Sequence, residues 1–152
     1  MKLDSAKALV MHHEGVRKRA YDDATGKVLK PTQTLKGRLT IGYGRNLTDR
    51  DLADSEIEML LNNDLRRCQR EAEKLGPWWQ GLNGPRRAVI VDCLFCLGRP
   101  RFLRFRKMRA ALAVGDYQEA SVQLLDSKFG RTHGTRVLRL SEIMRRGEYL
   151  DE

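Results

Sequence analysis

Cysteine is scarce in this chain, with three in 152 residues. That odd count fits a reducing compartment better than a disulfide framework. Apolar runs are short, and none approaches the roughly 18–20 residues that a membrane-spanning helix needs. The opening stretch MKLDSAKALVMHHEG lacks the apolar core of a signal peptide, so accumulation in the cytoplasm is expected. There is no internal repeat and no low-complexity linker. Cys93 and Cys96 have no second cysteine pair and no strand–helix redox context, so Cys68, Cys93 and Cys96 are expected to be free thiols packed in the interior. No metal site and no cofactor is expected.

Positive charge, by contrast, is abundant. The formal net charge is +9, and it is unevenly spread. Residues 1–64 carry 11 Lys and Arg against 10 Asp and Glu, whereas residues 65–152 carry 18 against 10. A basic half of this kind suits a polyanion: nucleic acid, an anionic membrane face or an acidic cell-wall polymer. The length fits one domain, and a chain of this size buries roughly 68–70% of its unfolded surface.

Hydrophobic periodicity divides the chain into a short helix, a hairpin region and a helical remainder. Residues 4–14 read as an amphipathic helix with Asp4 or Ser5 as cap, ended by Gly15. Residues 21–47 carry turn signals at Thr25-Gly26 and Lys36-Gly37, with alternation from Arg38 to Tyr43, and predict a small β-hairpin lobe. Ile57, Leu60, Leu61, Leu65, Cys68, Ala72 and Leu75 recur at helical spacing. Ser55 and Glu58 have capping-box spacing for that long helix, and Gly76-Pro77 stops it. Residues 85–97 are apolar nearly all round, as in a buried central helix. Three more helices are expected near 102–114, 117–129 and 135–146. The fold class is α+β and mainly α.

Two features carry candidate chemistry. In HEGVRKRAYDD (13–23), Glu14 falls in the last turn of a helix, where unpaired carbonyls disfavour an ionised carboxylate. Asp23 falls in a polar turn with basic neighbours, which favour ionisation. Two carboxyl groups in opposed environments suit the acid and base of glycoside hydrolysis, although an exposed carboxylate at a helix end is the commoner meaning of either alone. In LTIGYGRN (39–46), Gly42 and Gly44 alternate within a strand, a sign of close backbone approach to a neighbour or ligand. The spacing is not that of a phosphate-binding Gly-x-Gly-x-x-Gly loop.

Together these pieces resemble the phage lysozymes of the T-even type, glycoside hydrolase family 24. The Glu14-Gly15, Tyr21, Asp23 and Thr40-Ile41-Gly42-Tyr43-Gly44 set carries the resemblance, followed by a long helix. It continues through PWWQGL (77–82), RRAVIVDCLFCLG (86–98), FRKMRAAL (105–112), GDYQEAS (115–121), LLDSKF (124–129) and the Arg136/Arg139 helix closing at Gly147. Residues 24–37 fall outside it, as a hairpin insertion relative to the shortest members.

The resemblance implies one lysozyme-like domain over 1–152. Its parts are a catalytic lobe at about 15–55, a connecting helix at about 55–75, and a helical lobe at about 76–152 packed with helix 4–14. It implies a muramidase, an endolysin that cuts the β-1,4 bond between N-acetylmuramic acid and N-acetylglucosamine in bacterial peptidoglycan. Glu14 would be the general acid, with Asp23 and Thr40 activating water so that the anomeric configuration inverts. Arg136 would orient the glutamate, while Asn46, Phe95 and Gln123 would contact substrate. A monomer dependent on a holin for access to the wall is implied.

Asp92 and Cys96 depart from the family, standing where members commonly carry amide side chains. The extra carboxylate bears on substrate binding and keeps open a second reading, a lysozyme-fold glycan-binding protein with reduced turnover. The stretch GRPRFLRFRKMR (98–109) interleaves cations with Phe102, Leu103 and Phe105. Such a stretch can bind single-stranded nucleic acid or adhere to anionic lipid. A solvated helix face attracted to the anionic cell envelope is favoured, and no nucleic-acid partner is expected. Trp78 and Trp79 are expected to cover the helical core, and His12 and His13 to be packed or solvated.

Overall fold

The computed structural model describes residues 6–151; the expected cap at Asp4 or Ser5 lies outside them. The chain forms two compact units, Met1–Glu58 and Met59–Glu152.

In the first unit, α1 (Ala6–Glu14) ends where Gly15 takes φ +61°, a left-handed conformation that glycine adopts without steric penalty. A three-stranded antiparallel sheet follows, β1 (Arg17–Asp22), β2 (Leu39–Gly42) and β3 (Arg45–Asn46), in the order β1-β2-β3. Tyr21 pairs with Thr40, and Thr40 in turn with Asn46, so this threonine sits on the central strand. β1 begins four residues earlier than the turn signals suggested. Its first half, Arg17-Lys18-Arg19, carries no apolar alternation because those side chains are exposed.

The excursion between β1 and β2 starts as a continuation of pairing. Tyr21 bridges to Val28, and the Leu29 N–H donates to the Ala20 carbonyl at 3.2 Å. Arg17 ties the segment back, donating to the Gly26 carbonyl while its guanidinium lies 4.3 Å from the Tyr21 ring centroid.

The long helix α2 (Asp54–Ala72) begins one residue before Ser55. The Ser55/Glu58 capping box is not what starts it. Glu56 accepts from the Ala53 N–H at 2.8 Å and from Arg45 at 2.9 Å. Ala53 is thus the cap residue, with no side-chain oxygen of its own, and the third helical residue satisfies its amide. Both contacts hold the Glu56 carboxyl below its ordinary range, the Ala53 amide more than Arg45.

The second unit is helical. It runs through α3 (Trp78–Gly81), α4 (Gly84–Leu97), α5 (Arg99–Phe102), α6 (Arg106–Ala113), α7 (Tyr117–Leu125), α8 (Lys128–Thr132) and α9 (Gly134–Arg146). Its core takes Cys68 and Ala72 from α2, Trp79 from α3 and Val89, Ile90, Cys93 and Leu94 from α4. Phe102, Met108, Leu112, Leu124, Phe129, Val137 and Met144 are among the residues the later helices add. The expected central helix and the tryptophan placement are therefore found: Trp79 is buried and Trp78 packs against the core.

Two of the expected helices are each broken into two. The 102–114 run turns at Leu103–Phe105. The 117–129 run ends at Asp126, because the Ser127 hydroxyl accepts from the Gly130 N–H at 3.0 Å and caps a new helix. α9 is closed by Arg86 of α4, which donates to the carbonyls of Met144 and Arg145 and stacks 3.8 Å from the Tyr117 ring centroid. A cation at a helix C-terminus meets the unpaired carbonyls there.

The cysteines are free: Cys68 and Cys93 are buried and Cys96 is half-buried. Burial pushes the Cys93 thiol far above its ordinary range, so it stays protonated and inert.

Candidate active site

Glu14 is the last residue of α1 and its side chain is exposed. The carboxylate reaches the turn between β2 and β3, where a Cβ on Gly44 would lie 2.7 Å from Glu14 Oε2. Gly42 and Gly44 have φ +68° and +69°, so the strand alternation stops at Gly42 and the two glycines make the turn. Close approach was expected at both. It occurs at Gly44; a Cβ on Gly42 would meet nothing within 4 Å.

Asp22 and Asp23 have opposite environments. Asp22 is fully buried. Its carboxylate accepts from the backbone N–H groups of Lys36 (2.6 Å), Gly37 (3.0 Å) and Ala24 (3.0 Å). These amides, Lys36 foremost, hold the carboxyl below its ordinary range against the opposing effect of burial. Asp22 is therefore the anchor of the excursion's return. Asp23 is exposed, and only its Oδ1 is engaged, accepting from the Arg38 N–H at 2.6 Å.

Thr40, on β2 opposite Tyr21, is buried at 4% exposure. Its hydroxyl donates to the Arg38 carbonyl at 3.3 Å. Arg38 thus offers its N–H to Asp23 and its carbonyl to Thr40, which ties both side chains to the residue before β2. With its proton directed at a carbonyl, the Thr40 oxygen keeps lone pairs to accept a further hydrogen bond.

Asn46 has a local task. Its Oδ1 accepts from Thr48 N–H (2.8 Å) and Asp49 N–H (3.2 Å), and its Nδ2 donates to Asp49 (2.9 Å). Both acceptor positions and one donor are used in this turn, leaving one N–H free.

The remaining candidates lie in the second unit. Phe95 is 41% exposed on α4. Gln123 on α7 donates to Glu119 at 2.7 Å. Arg136 on α9 forms a two-pronged pair with Asp92, Nε to Oδ1 at 3.0 Å and Nη2 to Oδ2 at 2.9 Å. The carboxylate that departs from the expected amide is thereby neutralised in place, and the pairing raises the Arg136 guanidinium above its ordinary range. Among the described residues no cluster of His, Cys, Asp and Glu is arranged to hold a metal ion.

Sequence reasoning did not identify Asp22 as a buried anchor or Glu56 as the residue joining β3 to α2. The doublet Asp22-Asp23 with a turn at Lys36-Gly37 was the available sign of the first. Arg45 and Glu56, eleven positions apart, give no local sign of the second.

Residues 11–148 match the family model described as phage lysozyme. The chain is 27% identical over 111 residues to the pre-baseplate central spike protein Gp5 of Enterobacteria phage T4. That similarity covers 73% of this chain and 18% of the spike protein, so the chain spans about a fifth of the relative's length. The chain belongs to the phage lysozyme family.

Proposed function

We propose that this chain is a muramidase that hydrolyses the β-1,4 bond between N-acetylmuramic acid and N-acetylglucosamine in peptidoglycan. The reading is carried by one observation. Glu14, at a helix end, reaches over Gly44, in the turn that follows β2, while Thr40 of β2 and Asp23 both bond to Arg38, the residue before that strand. Glu14 protonates the leaving glycosidic oxygen. Asp23 takes a proton from water through the oxygen that Arg38 leaves free, and Thr40 accepts a hydrogen bond from that same water. The product anomer is then inverted. Arg136, Phe95, Gln123 and the free amide proton of Asn46 contribute to binding glycan or orienting the acid. In this reading residues 1–152 work as one lysozyme-like domain, a monomer without cofactor.

Family membership supports the reaction class. The test is Glu14→Gln, which removes the proton donor and keeps the shape. Muropeptide analysis should show cleavage nearly abolished, with an unchanged circular dichroism spectrum. Equal cleavage by the variant, or anhydro-muramyl products from the parent protein, would overturn the assignment. A variant that still binds glycan, beside a parent that binds without turnover, would instead favour the glycan-binding reading.

The setting is a free endolysin that meets the wall once a holin has opened the membrane. Among the described residues no helix is long and apolar enough to cross a membrane. Expression alone should leave cells intact until a permeabilising protein or chloroform is supplied. A second setting, a wall-cutting module carried on a phage particle, rests on the match to a central spike protein. Immunoblotting of purified particles against the surrounding lysate separates the two.

A further inference from the structure

The basic stretch 98–109 does not form one amphipathic helix. It folds as α5, a turn at Leu103–Phe105 and the start of α6. This break wraps its cations around a cavity of about 770 Å³ built wholly from the second unit. Arg101, Arg104, Arg106 and Lys107 line it from that stretch, and Lys128 faces them from α8. Asp126 is the single carboxylate in the lining, and it forms no ion pair with any of the five.

Outside the cavity some guanidinium groups are paired and others, such as Arg66 and Arg70, are solvated singly. Arg45 meets Glu56, Arg67 meets Asp64 and Glu71, Arg136 meets Asp92, and Arg145 and Arg146 meet Glu142. The five cavity cations have no hydrogen-bond or ion-pair partner for their side chains among the described residues. Like charges gathered around one concavity repel, and folded surfaces usually intersperse signs. An anion of high charge density removes that repulsion. Guanidinium forks match phosphate oxygens in geometry as well as charge.

The rest of the lining bears on the source of the phosphate. Its apolar part is Met108, Phe129 and half-buried Phe105, beside the polar Gln123, Thr132 and His133. Phe129 is 4% exposed, so this ring offers no open face to a nucleobase. A cationic rim with an apolar part in the lining fits an amphiphile whose phosphate and glycerol or sugar carbons enter together. We infer that this cavity binds the phosphate headgroups of an anionic membrane lipid, and that it concentrates the protein on the envelope independently of hydrolysis.

The test is cosedimentation of the full chain, carrying Glu14→Gln so that wall cleavage plays no part, with phospholipid vesicles. The parent should bind vesicles half of phosphatidylglycerol and leave vesicles of phosphatidylcholine alone, with millimolar pyrophosphate displacing it. Arg104→Gln, Arg106→Gln and Lys128→Gln together should weaken binding about tenfold or more. The control set Arg66→Gln, Arg70→Gln and Lys74→Gln removes the same charge from exposed positions and should change binding less than about twofold. Equal losses in the two sets would mean diffuse attraction and overturn the site. So would lipid binding that survives in the cavity variant while binding to a single-stranded oligonucleotide is lost.

Discussion

Glu14 and Gly44 are in contact across the first unit because position 44 has no side chain: a Cβ there would come within 2.7 Å of Glu14 Oε2 and 3.2 Å of its Cδ. Gly42, two residues earlier with nearly the same φ, has open space where its Cβ would stand. The two glycines therefore separate strain from displacement. Gly44→Ala and Gly42→Ala both force a side chain into the left-handed region, a penalty of about 1–2 kcal/mol. Only the first also moves the Glu14 carboxylate. Thermal melts should fall comparably in both, and reducing-end release should fall about tenfold or more in Gly44→Ala alone. Equal activity in the two variants would refute a positioning role for the contact.

The adjacent aspartates should divide into one variant that loses activity and one that loses stability. Asp23→Asn leaves the fold intact and removes the proposed base, so turnover should drop by about two orders of magnitude or more. Asp22→Asn keeps the shape but loses charge that three backbone amides are directed at, so its melting temperature should fall by several degrees at neutral pH. The sign of the pH dependence follows from the lowered carboxyl of the folded state. Its stabilisation is complete above the unfolded value of 3.8 and is lost as pH falls through the lower folded value. Melting curves of parent and Asp22→Asn should therefore converge in acid. A gap that stayed constant down to pH 2 would show that the charge is not the cause.

Asp92 holds Arg136 by both prongs of its guanidinium. With side chains 43% and 32% exposed, the pair contributes under about 1 kcal/mol. Asp92→Asn should leave the melting temperature within about 2–4 °C of the parent. It should also release part of the Arg136 fork and raise kcat/KM about two- to fivefold. Unchanged kinetics in Asp92→Asn, together with unchanged kinetics in Arg136→Gln, would remove Arg136 from the catalytic reading.

Hydrolysis by a water held opposite Glu14 requires the two carboxyl groups to stand about 6.5–9.5 Å apart, against about 5–5.5 Å for a covalent route. Proton NMR of the first-formed sugar should show the α-anomer. An initial β-anomer from the β-linked substrate would mean a glycosyl-enzyme intermediate, and Thr40 would lose its place beside the water.

The parts legible from sequence were those written in local spacing. Gly15 after Glu14, the strand pattern from Arg38 and the apolar run of α4 each state a backbone preference within a few residues, whereas α2 ends at Ala72, four residues short of the expected stop at Gly76-Pro77. What escaped depends on partners distant in the chain. β1 was hidden because Arg17, Lys18 and Arg19 are all exposed and give no two-residue pattern. The cap of α2 was misplaced by two residues because its acceptor belongs to Glu56, two positions before the expected Glu58, and serves the amide of an alanine. The anchoring role of Asp22 escaped because two of the amides that hold it lie fourteen and fifteen positions later. Asn46 was placed in a substrate role, and three of its four hydrogen-bonding positions go to its own turn.

The anchoring of residues 24–37 on Asp22 also restricts how this segment can be edited. A designer who trims the excursion to a minimal hairpin deletes Lys36 and Gly37, the donors that make a buried carboxylate tolerable. The shortened chain would inherit a buried anion that has lost two of its three amide donors, so deletion and replacement of Asp22 by a neutral residue must be made in one step. Insertions at the exposed tip near Pro31 and Thr32 leave all three donors in place. Loop length here is a free variable in one direction only.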